Sequence, residues 1–116
     1  MPNIPNNINN IIDEFIKNVH KILGTRLKRI ILYGSYARGD FNKHSDIDIM
    51  LLTDFNDVEI EEYRDRILDI AYDIEWDNDF TVTLSPLVKN IDKYNKRTNV
   101  IPFYHNVQRE GVVLYG

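Results

Sequence analysis

The chain of 116 residues contains no cysteine, which excludes both a disulfide framework and a thiolate metal site and leaves oxygen and histidine as the available ligands. That absence suits a reducing compartment, so the expected location is cytoplasmic. Long apolar runs are missing too. No stretch approaches the roughly 20 apolar residues that cross a bilayer, and Met1 to Asn10 lacks a basic start followed by an apolar run. Neither a membrane span nor a secretion signal is expected. Positive charge is in short supply, with 14 Lys and Arg against 18 Asp and Glu and a net charge of −4. Such a surface repels a phosphate backbone, which argues against long nucleic acids as partners. A mononucleotide stays open, because bound divalent cations reverse the sign of a small acidic site.

Apolar residues make up 43% of the chain, and the length suits one domain, residues 1–116, with no linker. Ile8, Ile11, Ile12, Phe15, Ile16, Val19, Ile22 and Leu23 recur at helical spacing, and Gly24 supplies a left-handed cap. Ile30 to Tyr33 reads as a strand buried on both faces, and Ser45 to Thr53 as a second strand whose first half alternates polar and apolar. Asn56 or Asp57 caps a helix with Ile60, Tyr63, Ile67, Ile70, Ala71 and Ile74 on its apolar stripe. Phe80, Val82 and Leu84 alternate with Thr81, Thr83 and Ser85, predicting a third strand that stops at Pro86. Lys89 to Asn99 has room for one short helix. Pro102 opens a last helix to Arg109, and Gly111 precedes a strand over Val112 to Tyr115. The predicted fold class is α/β (α+β), a small mixed β-sheet with helices packed on it.

Chemistry concentrates between Tyr33 and Leu52. Gly34 and Ser35 follow a buried strand, where a missing side chain lets phosphate approach the backbone and the serine donates from hydroxyl and N–H. A helical turn over Tyr36 to Arg38 would add free N–H groups. An isolated Gly-Ser is otherwise an ordinary turn. Asp46 and Asp48 lie two apart on a strand, so their side chains leave one face with Cα atoms roughly 6.5–7 Å apart. Two such carboxylates repel each other unless a cation such as Mg²⁺ or Mn²⁺ neutralises them. Ten residues separate Ser35 from Asp46, enough for the chain to turn and return along a neighbouring strand, setting the phosphate cradle against the acids.

Gly-Ser, ten residues and then Asp-x-Asp resembles the signature of the polymerase-beta-like nucleotidyltransferase superfamily. G-S-Y-A-R-G-D with S-D-I-D-I looks like its minimal nucleotidyltransferase branch, and P-F-Y-H-N-V-Q-R-E-G-V-V-L-Y looks like the C-terminal tail of these small proteins. The resemblance implies a triphosphate, most simply that of ATP, held by Gly34 and Ser35 and a metal held by Asp46 and Asp48. It implies AMP transfer to a hydroxyl of a helical HEPN-type toxin, the chain acting as antitoxin, and it favours a homo-oligomer or a hetero-complex. Active members of the family usually carry a third carboxylate on a strand beside Asp-x-Asp. Alternation puts Asp79 on one face with Thr81 and Thr83, which makes Asp79 the candidate third metal and catalytic acid. Equally, Asp79 ends a turn with Asp77 and Asn78.

Arg38 stands close enough to the expected phosphate site to pair with it, or else pairs with Asp40 on the surface. Tyr36 is placed to reach a ligand, and Lys43 could serve phosphate. His44 reads as a solvated loop residue, and His20 and His105 as structural. Trp76 and the tyrosines read as core and interface residues rather than stacking platforms for bases.

Overall fold

A computed structural model describes residues 3–116. The first helix, α1, spans Asn6–Leu23 and buries Ile8, Ile11, Ile12, Phe15, Val19 and Leu23. It ends at Gly24, whose φ of 54° avoids a Cβ penalty and whose N–H donates to the carbonyl of His20. A short 3₁₀ turn leads into strand β1, Leu27–Tyr33, which starts three residues before the apolar run. A four-residue helix, α2, covers Ser35–Arg38, and strand β2 covers Ile47–Thr53.

The long helix α3, Asp57–Asp77, opens on Asn56 in a reciprocal capping box. The Asn56 side chain accepts from the N–H of Glu59 at 2.9 Å, and the Glu59 carboxylate accepts from the N–H of Asn56 at 3.1 Å. Strand β3 is Leu84–Asn90, followed by α4 at Ile91–Arg97, α5 at Pro102–Glu110 with proline in its first turn, and β4 at Val112–Tyr115. The sheet order is β3-β2-β1-β4. β1 pairs antiparallel with β2 and β4, and β2 pairs parallel with β3, so the sheet is mixed as expected.

Alternation sorts each strand onto two faces. Ile30 and Leu32 of β1 and Ile47, Ile49 and Leu51 of β2 join the core under α1 and α3. Ile31, Met50 and Leu52 face the other way and meet Tyr94 of α4 and Val107 of α5.

The third strand lies later in the chain than alternation alone predicts. Phe80 to Thr83 belongs to the connection after α3, where the N–H of Phe80 donates to the carbonyl of Glu75 at 2.8 Å and Asp79 and Phe80 both take φ 54°. The strand begins at Leu84 and runs through Pro86. Proline fits there because β3 is an edge strand, where the missing N–H takes no partner from the ladder.

Candidate active site

Tyr33, the last residue of β1, lies opposite Asp48 of β2. The chain turns at once through Gly34, with φ 77°. A Cβ at this position would overlap the Asp48 carboxylate, so glycine is required twice, by the positive φ and by the acid beside it. Ala37 and Arg38 donate their N–H groups to the carbonyl of Gly34 at 3.1 and 3.0 Å, closing α2 over the turn. The first N–H groups of a helix, here those of Ser35 and Tyr36, have no partner within it.

β2 starts one residue later than Asp46. Asp46 therefore stands exposed at the strand's mouth, while Asp48, inside the strand, is half-buried. Burial and then the neighbouring charge of Asp46 push the Asp48 carboxyl above the ordinary carboxylate range, and the Arg38 guanidinium opposes them. Burial, with the Asp48 charge added, pushes the Tyr33 phenol up to about 12, so Tyr33 stays a neutral hydrogen-bonding group at physiological pH.

These residues line a cleft of about 380 Å³, with Tyr33, Gly34, Ser35, Arg38 and Asp48 on one side. α5 supplies the opposite wall through Phe103, Asn106, Val107 and Glu110. The sequence places these four in the last helix and its end without marking them as site residues, yet they stand at i, i+3, i+4 and i+7, the spacing of a single helix face. Phe103 meets the Tyr33 ring edge-on at 5.6 Å. The volume is within the usual range for a small-molecule site.

Arg38 lines the cleft and also pairs with carboxylates, its Nε lying 3.2 Å from Asp40 and its Nη1 3.4 Å from Glu110. The surface pairing with Asp40 is therefore present, and the guanidinium also lines the cleft. Tyr36 does not face the cleft: it is buried and stacks on Phe41 at 4.6 Å, a core role. Lys43 lines a separate pocket with Tyr36 and Phe41. His44 is exposed in the loop, its N–H donating to the Asn42 side chain, and His20 meets Tyr115 edge-on at 4.4 Å.

Asp79 is the position the structure corrects. It is exposed in the turn after α3 rather than on a strand beside β2. The residue paired with Asp48 on β3 is Ser85. Among the described residues no group of three His, Cys, Asp or Glu side chains could hold a metal together. What remains is an oxygen-only pair, Asp46 and Asp48, in which burial and then the charge of Asp46 raise the Asp48 pKa. A hard divalent cation such as Mg²⁺ fits that donor set and would remove the repulsion.

The family described as nucleotidyltransferase domain matches residues 12–104. Two chains of Methanocaldococcus jannaschii, each named "Putative protein adenylyltransferase", are similar over 104 residues. One is 35% identical, covering 90% of this chain and 94% of its own length; the other is 34% identical, covering 88% and 93%. A chain in a crystal structure described as a toxin-antitoxin with AMP-PNP superposes with a TM-score of 0.51 at 20% identity, covering 88% of this chain and 71% of that one. At that identity the likeness concerns the fold alone.

Proposed function

We propose, for a chain that belongs to the nucleotidyltransferase domain family, that it transfers AMP from ATP to a hydroxyl, most simply a tyrosine, of a HEPN-type toxin protein and so acts as that protein's antitoxin. Nucleotidyl transfer is the activity of the family. ATP, magnesium and the acceptor are the added steps. The observation that supports them is the cleft that Gly34, Ser35, Arg38 and Asp48 line together, with Gly34 abutting the Asp48 carboxylate.

In this reading Gly34 and Ser35 hold the outer phosphates through backbone N–H groups and the serine hydroxyl. Arg38 lies in the same cleft as a charged donor for phosphate oxygens. Asp46 and Asp48 hold the divalent cation, which supplies charge neutralisation and acidification of the acceptor hydroxyl. The acceptor oxygen bonds to the α-phosphorus as the bond to the bridging oxygen breaks. Pyrophosphate leaves, and the hydroxyl proton passes to solvent. Positioning and electrostatics then carry most of the rate.

The 88% and 90% coverage by relatives named for protein adenylyltransfer supports a protein acceptor. Incubating the chain with a HEPN-type protein, ATP and Mg²⁺ is expected to add one or more AMP masses to that protein. Asp46→Asn and Asp48→Asn each lower the rate by about 10²–10³-fold, the usual effect of removing one electrostatic group at a reacting centre. No added mass with the unmodified chain under Mg²⁺ or Mn²⁺ would sink the proposal.

One observation favours a second reading, neutralisation by binding alone: the position beside Asp48 is occupied by Ser85 rather than by a third carboxylate. That reading requires the double Asp46→Asn, Asp48→Asn variant to neutralise its partner as well as the unmodified chain does.

A further inference from the structure

α3 is amphipathic in an unusual way. Ile60, Ile67, Ala71 and Ile74 are buried against the sheet, yet a second apolar stripe faces water. Leu68, Tyr72 and Trp76 repeat every fourth residue at 44%, 52% and 62% exposure, and Phe80, held at φ 54° just beyond the helix, extends the stripe at 53%. The three rings pack on one another, with centroids 5.7–6.4 Å apart. Exposed aromatic residues gathered into one patch are uncommon on a small monomer and carry most of the energy where partners bind.

Two cations stand at the start of the stripe, Arg64 paired with Glu61 and Arg66 over the Tyr63 ring, and beyond them along α3 the setting is acidic. Asp65, Asp69, Asp73, Asp77 and Asp79 are exposed around the stripe, and none of them takes part in a salt bridge among the described residues. A docked partner therefore gains most if it brings cations to that rim, whereas two copies meeting face to face would oppose their acids.

The patch also lies at the reactive end of the sheet. α3 runs back along β3, so its C-terminal end meets the start of that strand, where Leu84 donates its N–H to the Glu75 carboxylate at 2.9 Å. One residue earlier, the carbonyl of Thr83 accepts from the N–H of Ile47, the residue between Asp46 and Asp48, at 2.8 Å.

We propose that the exposed stripe Leu68, Tyr72, Trp76 and Phe80 is the docking face for the protein acceptor, and that the acceptor meets it with an apolar surface rimmed by Lys and Arg. The assignment rests on the reading of this chain as one that modifies a protein. Docking there anchors the acceptor at the end of the sheet where β2 begins, on the face opposite the cleft, so that a segment of it reaching round that end makes the second reactant effectively intramolecular.

Trp76 is the sole tryptophan, so its emission reports on this face directly. The probe is a synthetic amphipathic helical peptide of leucine and lysine, compared with a leucine and glutamate version and with a scrambled leucine and lysine peptide. The expected result is a blue shift with the amphipathic cationic peptide alone, weakened by salt and weakened about tenfold in affinity by Tyr72→Ser, with ATP binding unchanged. No shift, or an equal shift with either control, overturns the assignment. A shift on raising the concentration of the chain by itself points to a second copy and overturns it too, as does a shift with phosphatidylcholine vesicles. AMP transfer to a HEPN-type protein without any peptide-induced shift leaves the reaction standing and removes only the docking face. A shift without transfer does the reverse.

Discussion

The two faces of the sheet are cut from the same strands and put to opposite uses. Toward α1 and α3 the strands present Ile30, Leu32, Ile47, Ile49 and Leu51, all fully buried. Toward α4 and α5 they present Ile31, Met50 and Leu52 at one end, then Tyr33, Asp48 and Ser85 at the other. The first face is apolar apart from Thr53 at the end of β2, whose buried hydroxyl is hydrogen-bonded to backbone. The second is apolar only as far as it supports α5, and its remaining length forms the floor of a polar cleft. A strand two residues wide in its pattern can thus serve core and chemistry together, provided one face carries most of the stability.

The largest effect should come from breaking the packed face. Phe15 on α1 is fully buried in that core, and Phe15→Ala is expected to cost about 3–5 kcal/mol through lost contacts and an unfilled cavity. Urea unfolding would show it as a lower midpoint with little change in slope. A loss below about 1 kcal/mol would mean that the α1 face does not dominate stability, and the contrast between the faces would fail.

A smaller effect on stability but a large one on function is expected at the turn between the faces. Gly34→Ala places a methyl group on the Asp48 carboxylate at φ 77°, with a backbone cost of roughly 1–2 kcal/mol. The acid must also move, so AMP transfer should fall by about 10²-fold while the chain stays folded. Thermal melting and mass-detected transfer on one preparation separate the two effects. Loss of stability with full transfer would show that Asp48 does not need its observed place.

The contrast between faces also decides what could be read from the sequence. α1 and α3 bury apolar residues at helical spacing, and periodicity found both. The turn at Gly34 and the strand that carries Asp48 were legible because short-range rules govern them, a strand end and a glycine turn, although β2 begins one residue after Asp46. β3 was displaced because Phe80, Val82 and Leu84 alternate as a strand would. Their actual conformation depends on where α3 stops and on Phe80 donating back to Glu75, a tertiary choice that alternation does not contain. Pro86 misled for the same reason, since only the sheet order reveals an edge strand. Asp79 followed that strand into the candidate site and left with it. The α5 wall was missed although Phe103, Asn106, Val107 and Glu110 share one helical face, because helical spacing does not say what that face meets.

The smallest expected effect is the most specific to the acid pair. The Asp48 carboxyl titrates above its ordinary value of 3.8, chiefly through burial and then through Asp46. A carboxyl whose folded pKa is raised binds its proton more tightly in the native state, so its contribution to stability is full below pH 3.8 and is lost as pH rises through the folded value. At neutral pH the charged Asp48 is therefore a net cost to folding. Asp48→Asn should raise stability at pH 7 by roughly 0.5–1 kcal/mol, the lower part of the usual range for relieving a strained functional site, because water still reaches the carboxylate and screens it. The gain should shrink toward zero as pH drops below 3.8. Mg²⁺ should stabilise the unmodified chain at pH 7 by binding the native acid pair, and should stabilise the Asn variant far less. Melting curves with and without Mg²⁺ at two pH values test all of this together. Equal stabilisation of both chains by Mg²⁺ would place the cation elsewhere. A fall in stability for Asp48→Asn at neutral pH would mean that the carboxylate holds the turn at Gly34 rather than straining it, and the two faces would then differ less than their burial suggests.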